Sequence, residues 1–283
     1  MTTFCAALAG CARQDAPPRA DTARETTAPA PPTGAPVDPG VSALGSMLVV
    51  PGDSAGAGIV IFPDAPTPQM VRSAPLTLLT PGGDTTIAEV SLVMTDSQVC
   101  GEAPLVRVQD SLATAWTIGI LGSGVAAVRM DSLESLSRPD SSKLAAELAR
   151  LASSVPMKDD SRFKGLPFSL LRARYFVTEG RRIVASHLVR RVPHEAAPVE
   201  EHTLIVAERD TAAASTPFVL SFHLRSEGTE DTAEQFEVLA AVRGPDSIWL
   251  LLSRDSMAQT TYQALERARS GVWRSRWSRV LSC

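Results

Sequence analysis

The feature that most constrains the fold is an alternation of apolar and polar residues in the C-terminal half of the chain. A period of two places alternate side chains on opposite faces of a β-strand, so that one face is apolar and the other is solvated. Strands of this kind pair in antiparallel sheets. The dipeptide Glu179-Gly180 separates two such segments and predicts a turn. The alternating or β-branched segments are Leu171–Val177, Ile183–Val192, Phe218–Arg225, Phe236–Val242 and Ile248–Leu252.

Short apolar runs separated by glycine- and proline-containing turns precede this region. Regular spacing of such runs is typical of a meander, a sandwich or a barrel. No motif recurs at a fixed repeat length, which argues against a solenoid or a propeller. The sequence therefore predicts a mainly β fold of antiparallel sheets, either a sandwich or a barrel-like meander. The predicted N-terminal strands are Met47–Val50, Ile59–Phe62, Leu76–Thr80, Thr86–Met94, Leu105–Gln109, Trp116–Leu121 and Val125–Met130.

One amphipathic helix is predicted near residues 138–155. Ser137 and Asp140 have the spacing of a capping box, and Pro156 ends the pattern. Apolar residues then recur at helical spacing, which gives the helix one face for the core. This stripe consists of Leu144, Leu148, Leu151 and Val155.

The charged segment Met157–Lys164 marks a boundary in the folded part. We expect a β-rich unit over residues 44–155 that ends in the helix, and an antiparallel β unit over residues 160–283. In the last strand, period two places Trp273, Trp277 and Leu281 on one face, with the arginines between them on the other.

The N-terminus predicts the compartment. The run Leu8-Ala9-Gly10-Cys11 resembles the lipobox of bacterial lipoproteins. The resemblance covers these four residues and implies that Cys11 is lipidated and becomes the first residue of the mature chain. Residues 12–43 are rich in Pro, Ala and Thr without apolar periodicity, so we expect a disordered tether.

The segment before Cys11 departs from a complete export signal. Such a signal has a positive n-region and about 7–15 apolar residues. Residues 1–10 contain no Lys or Arg. The interpretation therefore treats residues 1–11 as a truncated lipoprotein signal. The alternative is a chance motif in an alanine-rich segment.

Two cysteines, Cys100 and Cys283, lie in the predicted folded part. An oxidising compartment favours a disulfide between them, which we expect together with export. The alternative is two separate thiols.

A serine hydrolase motif is the first candidate for chemistry. Gly52-Asp53-Ser54-Ala55-Gly56 matches G-x-S-x-G and resembles the nucleophile elbow of hormone-sensitive-lipase-like esterases. The motif requires a helix directly after the serine, together with an upstream oxyanion loop. Here a β-branched run and prolines follow instead, which favours a hairpin loop. An esterase-like hydrolase that uses Ser54 is kept as the alternative function.

A second candidate is a cluster of ligand types in one predicted loop. His194, Glu195, Glu201 and His202 offer nitrogen and carboxylate donors for a divalent cation. Pro198 occupies the position at which H-E-x-x-H has its second histidine. We therefore interpret the segment as an acidic surface loop, expect no metal or other cofactor, and keep these residues as candidate ligands.

The function that these features favour is a non-enzymatic binding or structural module. A formal net charge of -4 offers no general attraction for nucleic acid, so no nucleic-acid partner is expected. We expect a lipid-anchored protein of the cell envelope, facing the periplasm or the surface. Its partner would be the membrane through the anchor, and another envelope protein or a cell-wall polymer.

Overall fold

The computed structural model describes residues 43–52, 55–93, 103–109, 115–122, 124–157, 161–192, 198–213 and 215–282. These residues belong to one compact unit, Val37–Cys283. The unit is mainly β and its strand pairs are antiparallel, which confirms the predicted fold class.

The first six strands close into a barrel in the order β1-β2-β5-β4-β3-β6. Each agrees with a strand predicted from the sequence to within a few residues. Closure pairs β1 with both β2 and β6, so neither β1 nor β6 is left as a free edge. The strands are β1 (Met47–Pro51), β2 (Ala57–Phe62), β3 (Leu76–Leu79), β4 (Thr85–Val93), β5 (Leu105–Gln109) and β6 (Ile118–Leu121).

The remaining strands form two five-stranded sheets. We call β12-β11-β10-β9-β8 the outer sheet and β16-β15-β14-β13-β7 the central sheet. A hairpin joins β9 to β10 through Glu179 and Gly180, whose φ angles of 49° and 69° suit the tight turn that the sequence predicts. The strands are β7 (Ala126–Val128), β8 (Asp131–Ser132), β9 (Ser169–Thr178), β10 (Arg181–Val192), β11 (Val199–Asp210), β12 (Val219–Thr229), β13 (Gln235–Arg243), β14 (Ile248–Asp255), β15 (Thr260–Arg267) and β16 (Trp273–Leu281).

Two α-helices accompany the sheets in the described part of the chain. α2 (Arg138–Ser153) is the predicted helix, and Ser137 caps it by accepting a hydrogen bond from the backbone N–H of Asp140 at 3.3 Å. α1 (Pro68–Ser73) follows Thr67, which caps it in the same way, and was not predicted because its single turn and a half shows no apolar stripe. A short 3-10 helix, Leu133–Ser135, follows β8. Neither α-helix is long and apolar enough to cross a membrane.

Four apolar clusters define the order of the layers. One fills the barrel, and a second joins the barrel to one face of the central sheet through residues such as Ile61 and Trp249. A third lies between the central and outer sheets and includes Phe236 and Leu204. The fourth packs Leu148 of α2 on the far face of the outer sheet. The central sheet is therefore covered by apolar contacts on both faces.

Several β-bulges change the faces that a strict alternation predicts, and those in β13 and β16 affect the core between the sheets. In β13, Leu239 is an extra residue between two paired positions, so Val238 faces the outer sheet and Ala240 faces the barrel. In β16 the extra residue is Arg276. Trp273 consequently packs between the sheets while Trp277 packs toward the barrel, and the prediction of one shared face for both tryptophans is wrong.

Candidate binding site between the sheets

Among the polar side chains that point from the outer sheet toward the central sheet, three are buried and linked to one another beside the apolar core. His187 lies on β10, and Glu200 and His202 lie on β11. The register pairs His187 with Leu204 and His202 with Val189, so both imidazoles share this face. Each of the three residues is at most 4% exposed. Polar groups buried to this degree need hydrogen-bond partners.

A chain of hydrogen bonds connects them to the surface. Nε2 of His187 lies 2.7 Å from Nδ1 of His202, and Nε2 of His202 lies 2.7 Å from a carboxylate oxygen of Glu200. The other oxygen of Glu200 accepts a hydrogen bond from Nε of Arg191, whose side chain is 59% exposed. The ring of Phe236 packs edge-on against His187, with 5.6 Å between ring centroids. These contacts hold the imidazole of His187 in one orientation.

The partners determine the tautomers. An ionised carboxylate only accepts, so Nε2 of His202 donates to Glu200. In a neutral His202 the lone pair is then on Nδ1, which accepts a hydrogen bond from Nε2 of His187. His187 therefore carries its own lone pair on Nδ1. Within the described part of the chain, no group donates to that atom.

The environment keeps His187 uncharged and Glu200 ionised. Burial, the neighbouring His202 and the positive charge of Arg172 together lower the pKa of His187 to about 3. Burial alone would raise the pKa of Glu200, but hydrogen bonds from His202 and Arg191 lower it below its ordinary value. At neutral pH this chain of hydrogen bonds thus runs from the charged Arg191–Glu200 pair at the surface to the neutral imidazole of His187.

His187 lines a pocket of ≈ 230 Å³ at the side of the sandwich where β9 and β13 face each other. The pocket has apolar walls and four charged side chains. Arg172 and Arg174 come from β9, Glu237 from β13, and Glu134 from the 3-10 helix. The remaining lining residues are Ser132, Ala173, Ala185, Leu204, Phe236 and Val238.

The four charges of the pocket balance one another. Arg172 and Glu237 form an ion pair of 3.3 Å with both side chains substantially exposed, which makes the pair easy to open. Arg174 forms no salt bridge among the described residues, but it lies close to Glu134: hydrogen bonds from the backbone and from Ser132, together with the charge of Arg174, lower the pKa of that carboxyl. The pocket therefore presents one loosely held ion pair, the neighbouring opposite charges of Arg174 and Glu134, and the neutral imidazole of His187.

The opposite face of the outer sheet carries a separate cluster with a structural role. Glu201 accepts two hydrogen bonds from Nη2 of Arg190, at 2.9 and 2.8 Å, and pairs with Arg225 at 3.2 Å. The guanidinium of Arg190 also lies 4.5 Å from the ring centroid of Phe168. These contacts dock the segment after α2 onto the sheet.

The predicted acidic loop is partly wrong. Glu201 and His202 lie in strand β11, not in a loop, because Glu200 and Glu201 pair across the register with Arg191 and Arg190. Successive residues of a strand point to opposite faces, so Glu201 and His202 are on opposite sides of the sheet and do not converge on one ion. No group of three metal-ligating side chains occurs within the described ranges.

The other sequence-predicted sites lie outside the described residues: Cys11, Ser54, Cys100, Cys283, His194 and Glu195. The strands that flank Ser54, β1 and β2, belong to the barrel. The described histidines His187, His202 and His223 all lie in the outer sheet. The central sheet separates these two parts of the molecule.

Sequence reasoning missed the pocket. His187 was correctly placed in a strand, but its connection to Glu200 depends on the register of β10 and β11. A signal for that register was present in the sequence: Arg190-Arg191 and Glu200-Glu201 are complementary in antiparallel order. The contributions of Arg172 and Arg174 depend on how two distant sheets pack, which no local pattern encodes.

No family model, curated protein or solved structure matches this chain.

Proposed function

We propose that the chain is a non-enzymatic binding module of the bacterial envelope, anchored by lipid at Cys11, and that its ligand site is the pocket at His187. The observation that carries the proposal is a buried, neutral imidazole with an unused acceptor in a pocket with charged groups. A concave site with apolar walls and a few convergent polar groups is the usual form of a small-ligand site.

Rigidity of the polar groups supports binding. The His187 ring is held by His202 on one side and by Phe236 on the other, so its orientation is fixed before a ligand arrives. Polar groups that are oriented before the ligand arrives lose little conformational entropy on binding. The lipobox resemblance and the Pro-rich segment behind it support the envelope location and the anchor.

The properties of His187 support a non-enzymatic role. A general base works best when its pKa lies near the working pH. With a pKa of about 3, His187 is suited to accepting a hydrogen bond and poorly suited to accepting a proton at neutral pH. The alternative hydrolase depends on Ser54, whose flanking strands lie in a different layer from the described histidines.

The binding role is tested with a library of small polar compounds and soluble cell-wall fragments, screened by native mass spectrometry. We expect at least one compound to bind, to be recovered unchanged, and to lose affinity in Arg174→Gln. Arg274→Gln, on the exposed side of the distant edge strand β16, is the matched control. The proposal fails if every binder is insensitive to Arg174→Gln, or if a fluorophosphonate probe labels Ser54.

The anchor is tested separately. Expressed behind a complete export signal in a bacterial host, the protein should partition with membranes, and Cys11→Ser should release it. Cys5→Ser is the control, since Cys5 lies outside the lipobox run. Equal solubility of the unmodified chain and Cys11→Ser would overturn lipidation at Cys11. Non-reducing peptide mapping of the same material would show whether Cys100 and Cys283 are bridged.

A further inference from the structure

We infer that the ligand of the pocket is a small zwitterion, an α-amino acid or a dipeptide with free amino and carboxyl ends. This inference rests on the proposed binding function of the same site and adds the chemical class. It follows from three properties of the pocket: the balance of its charges, the hydrogen-bond acceptor that His187 offers, and its size.

The charged lining favours a molecule that carries both signs. The two guanidinium groups come from β9, whereas the two carboxylates come from elements on either side, β13 and the 3-10 helix. Arg172 and Arg174 would attract an anion, but Glu134 and Glu237 would repel it. A cation would be attracted by the two glutamates and repelled by the two arginines. A zwitterion pairs its carboxylate with the arginines and its ammonium with the glutamates, so that neither set of charges is left unpaired.

The imidazole of His187 orients the molecule. Nδ1 of His187 carries a lone pair, since its Nε2–H is donated to His202. A carboxylate is repelled by this lone pair, whereas an ammonium group donates to it. We therefore place the ammonium end inward, against His187, and the carboxylate outward, against Arg174, which interacts with Glu134 without forming a salt bridge.

The size of the pocket limits the molecule. Pockets for drug-sized ligands have volumes of about 300–1,000 Å³. The pocket at His187 measures ≈ 230 Å³, which suits a few heavy atoms beyond the two charged ends. Phe236, Leu204 and Val238 form its apolar wall, so a small aliphatic side chain has surface to contact.

The test uses the full chain and isothermal titration with defined probes: alanine in both enantiomers, alanylalanine, N-acetylalanine and alaninamide. We expect a free zwitterion to bind, and each blocked analogue, which lacks one charge, to bind about 10-fold more weakly, as the loss of one charge-assisted hydrogen bond implies. Arg174→Gln should weaken alanine more than alaninamide, because it removes a carboxylate partner. Arg274→Gln should change neither.

His187→Gln provides the complementary variant. The glutamine amide N–H₂ can replace the donor to His202, while the acceptor at Nδ1 is lost. This variant should therefore weaken alanine more than N-acetylalanine, which lacks the ammonium group.

Two outcomes separate the failure of this inference from that of the proposed function. If a blocked analogue binds as tightly as its zwitterion, or if only compounds of another class bind in an Arg174-dependent manner, the zwitterion is wrong and the pocket remains a binding site. If no probe and no library compound depends on Arg174, both proposals fall.

Discussion

Glu208 shows at the scale of one residue how the two sheets are held together. Its carboxylate accepts hydrogen bonds from Nε and Nη2 of Arg267, at 2.7 and 2.9 Å, and from Nε1 of Trp273 at 2.6 Å. Glu208 belongs to the outer sheet and both donors belong to the central sheet. Less than a tenth of either charged side chain is exposed. Because the pair is buried, each charge depends on the other for its solvation.

Glu208→Gln should therefore destabilise the fold strongly. The substitution keeps the shape of the side chain but leaves the buried Arg267 charge with only its longer contact, 3.5 Å, to the largely exposed Glu179. Breaking a buried pair in this way typically costs about 3–5 kcal/mol, and the remaining contact with Glu179 places the expected loss at the lower end. The free energy of unfolding from urea titration measures it. Asp246→Asn is the control, since Asp246 pairs with Arg269 at the surface and such pairs contribute about 0–1 kcal/mol.

A double replacement refines this prediction. Glu208→Leu with Arg267→Met removes both charges and should recover most of the stability that Glu208→Gln loses. A Glu208→Gln variant no less stable than Asp246→Asn would show that the buried pair is not required.

His187 makes stability depend on pH. An unperturbed histidine has a pKa near 6.5, whereas that of folded His187 is lowered to about 3. Between these values the unfolded chain binds a proton that the folded chain does not. The contribution of His187 is thus fully present above about pH 6.5 and is lost as the pH falls toward 3, by about 1.4 kcal/mol per pH unit for one proton.

His187→Gln should flatten this part of the stability profile. Urea titrations at several pH values between about 4 and 7 give the slope for each variant. His223→Gln is the control, because His223 lies on the exposed side of β12 and its pKa is lowered less strongly. Equal slopes in the parent and His187→Gln would mean that His187 is accessible to protons in the folded state.

At the scale of the strand, the bulges decide which face a residue occupies. Period two correctly placed β13 and β16, but Leu239 and Arg276 each interrupt the alternation. The composition of β16 contains no mark of its bulge, since Arg276 is one of several arginines at similar spacing. The bulge is required by long-range packing: Trp273 contacts the core between the sheets, whereas Trp277 contacts Phe62 of the barrel, with 6.1 Å between ring centroids. Sequence alone predicts the strand and leaves the position of the bulge open.

Single-residue deletions in β16 test the bulge. Deleting Arg276 removes the extra residue and keeps Trp273 and Trp277 on their present faces, so the expected loss is small, near that of its partly exposed pair with Glu266. Deleting Ser278 instead turns Leu281 out of the core, which should cost about 2–5 kcal/mol, as the loss of a buried leucine does. Melting temperatures of the two deletion variants give the comparison. If both are equally damaging, Arg276 is not a dispensable bulge residue.

Strand β11 was not predicted because its first residues are mostly polar rather than apolar. Its first residues, Val199 to Thr203, are mostly polar and suggest a solvated loop. In the fold Glu200 and Glu201 are buried because β10 supplies Arg191 and Arg190 directly opposite them. Paired charges thus replaced the apolar pattern on which the prediction relied.

At the scale of the whole molecule, the central sheet connects what lies on either side. It takes β7 from the N-terminal half, packs Trp249 toward the barrel and packs Leu250 toward the outer sheet. The mainly β class, the N-terminal strands and α2 were all predictable, because each depends on a local period. The order of the layers was not predictable, since it depends on which apolar faces of the barrel and the two sheets pack against each other.

The predicted division into residues 44–155 and 160–283 can be tested by expressing the second part alone. Without the barrel and β7, the fragment exposes the face of the central sheet that holds Trp249. We expect it to aggregate or to lose a cooperative thermal transition, as monitored by circular dichroism. A chain over residues 37–283 retains the compact unit and should melt like the full protein. A soluble, cooperatively folded 160–283 would show that the two parts are independent domains.

Strand β7 also imposes an order in time. The six strands of the barrel pair with one another, so every strand of the barrel is available once the chain has emerged as far as Leu121. The pairing of Ala126 with Arg243 has to wait until nearly the end of the chain is made. Pairings between distant segments form slowly, because the intervening chain must be closed into a loop first. The barrel is therefore expected to form first and to wait, with β7 still unpaired beside it, for the strand that will complete the central sheet.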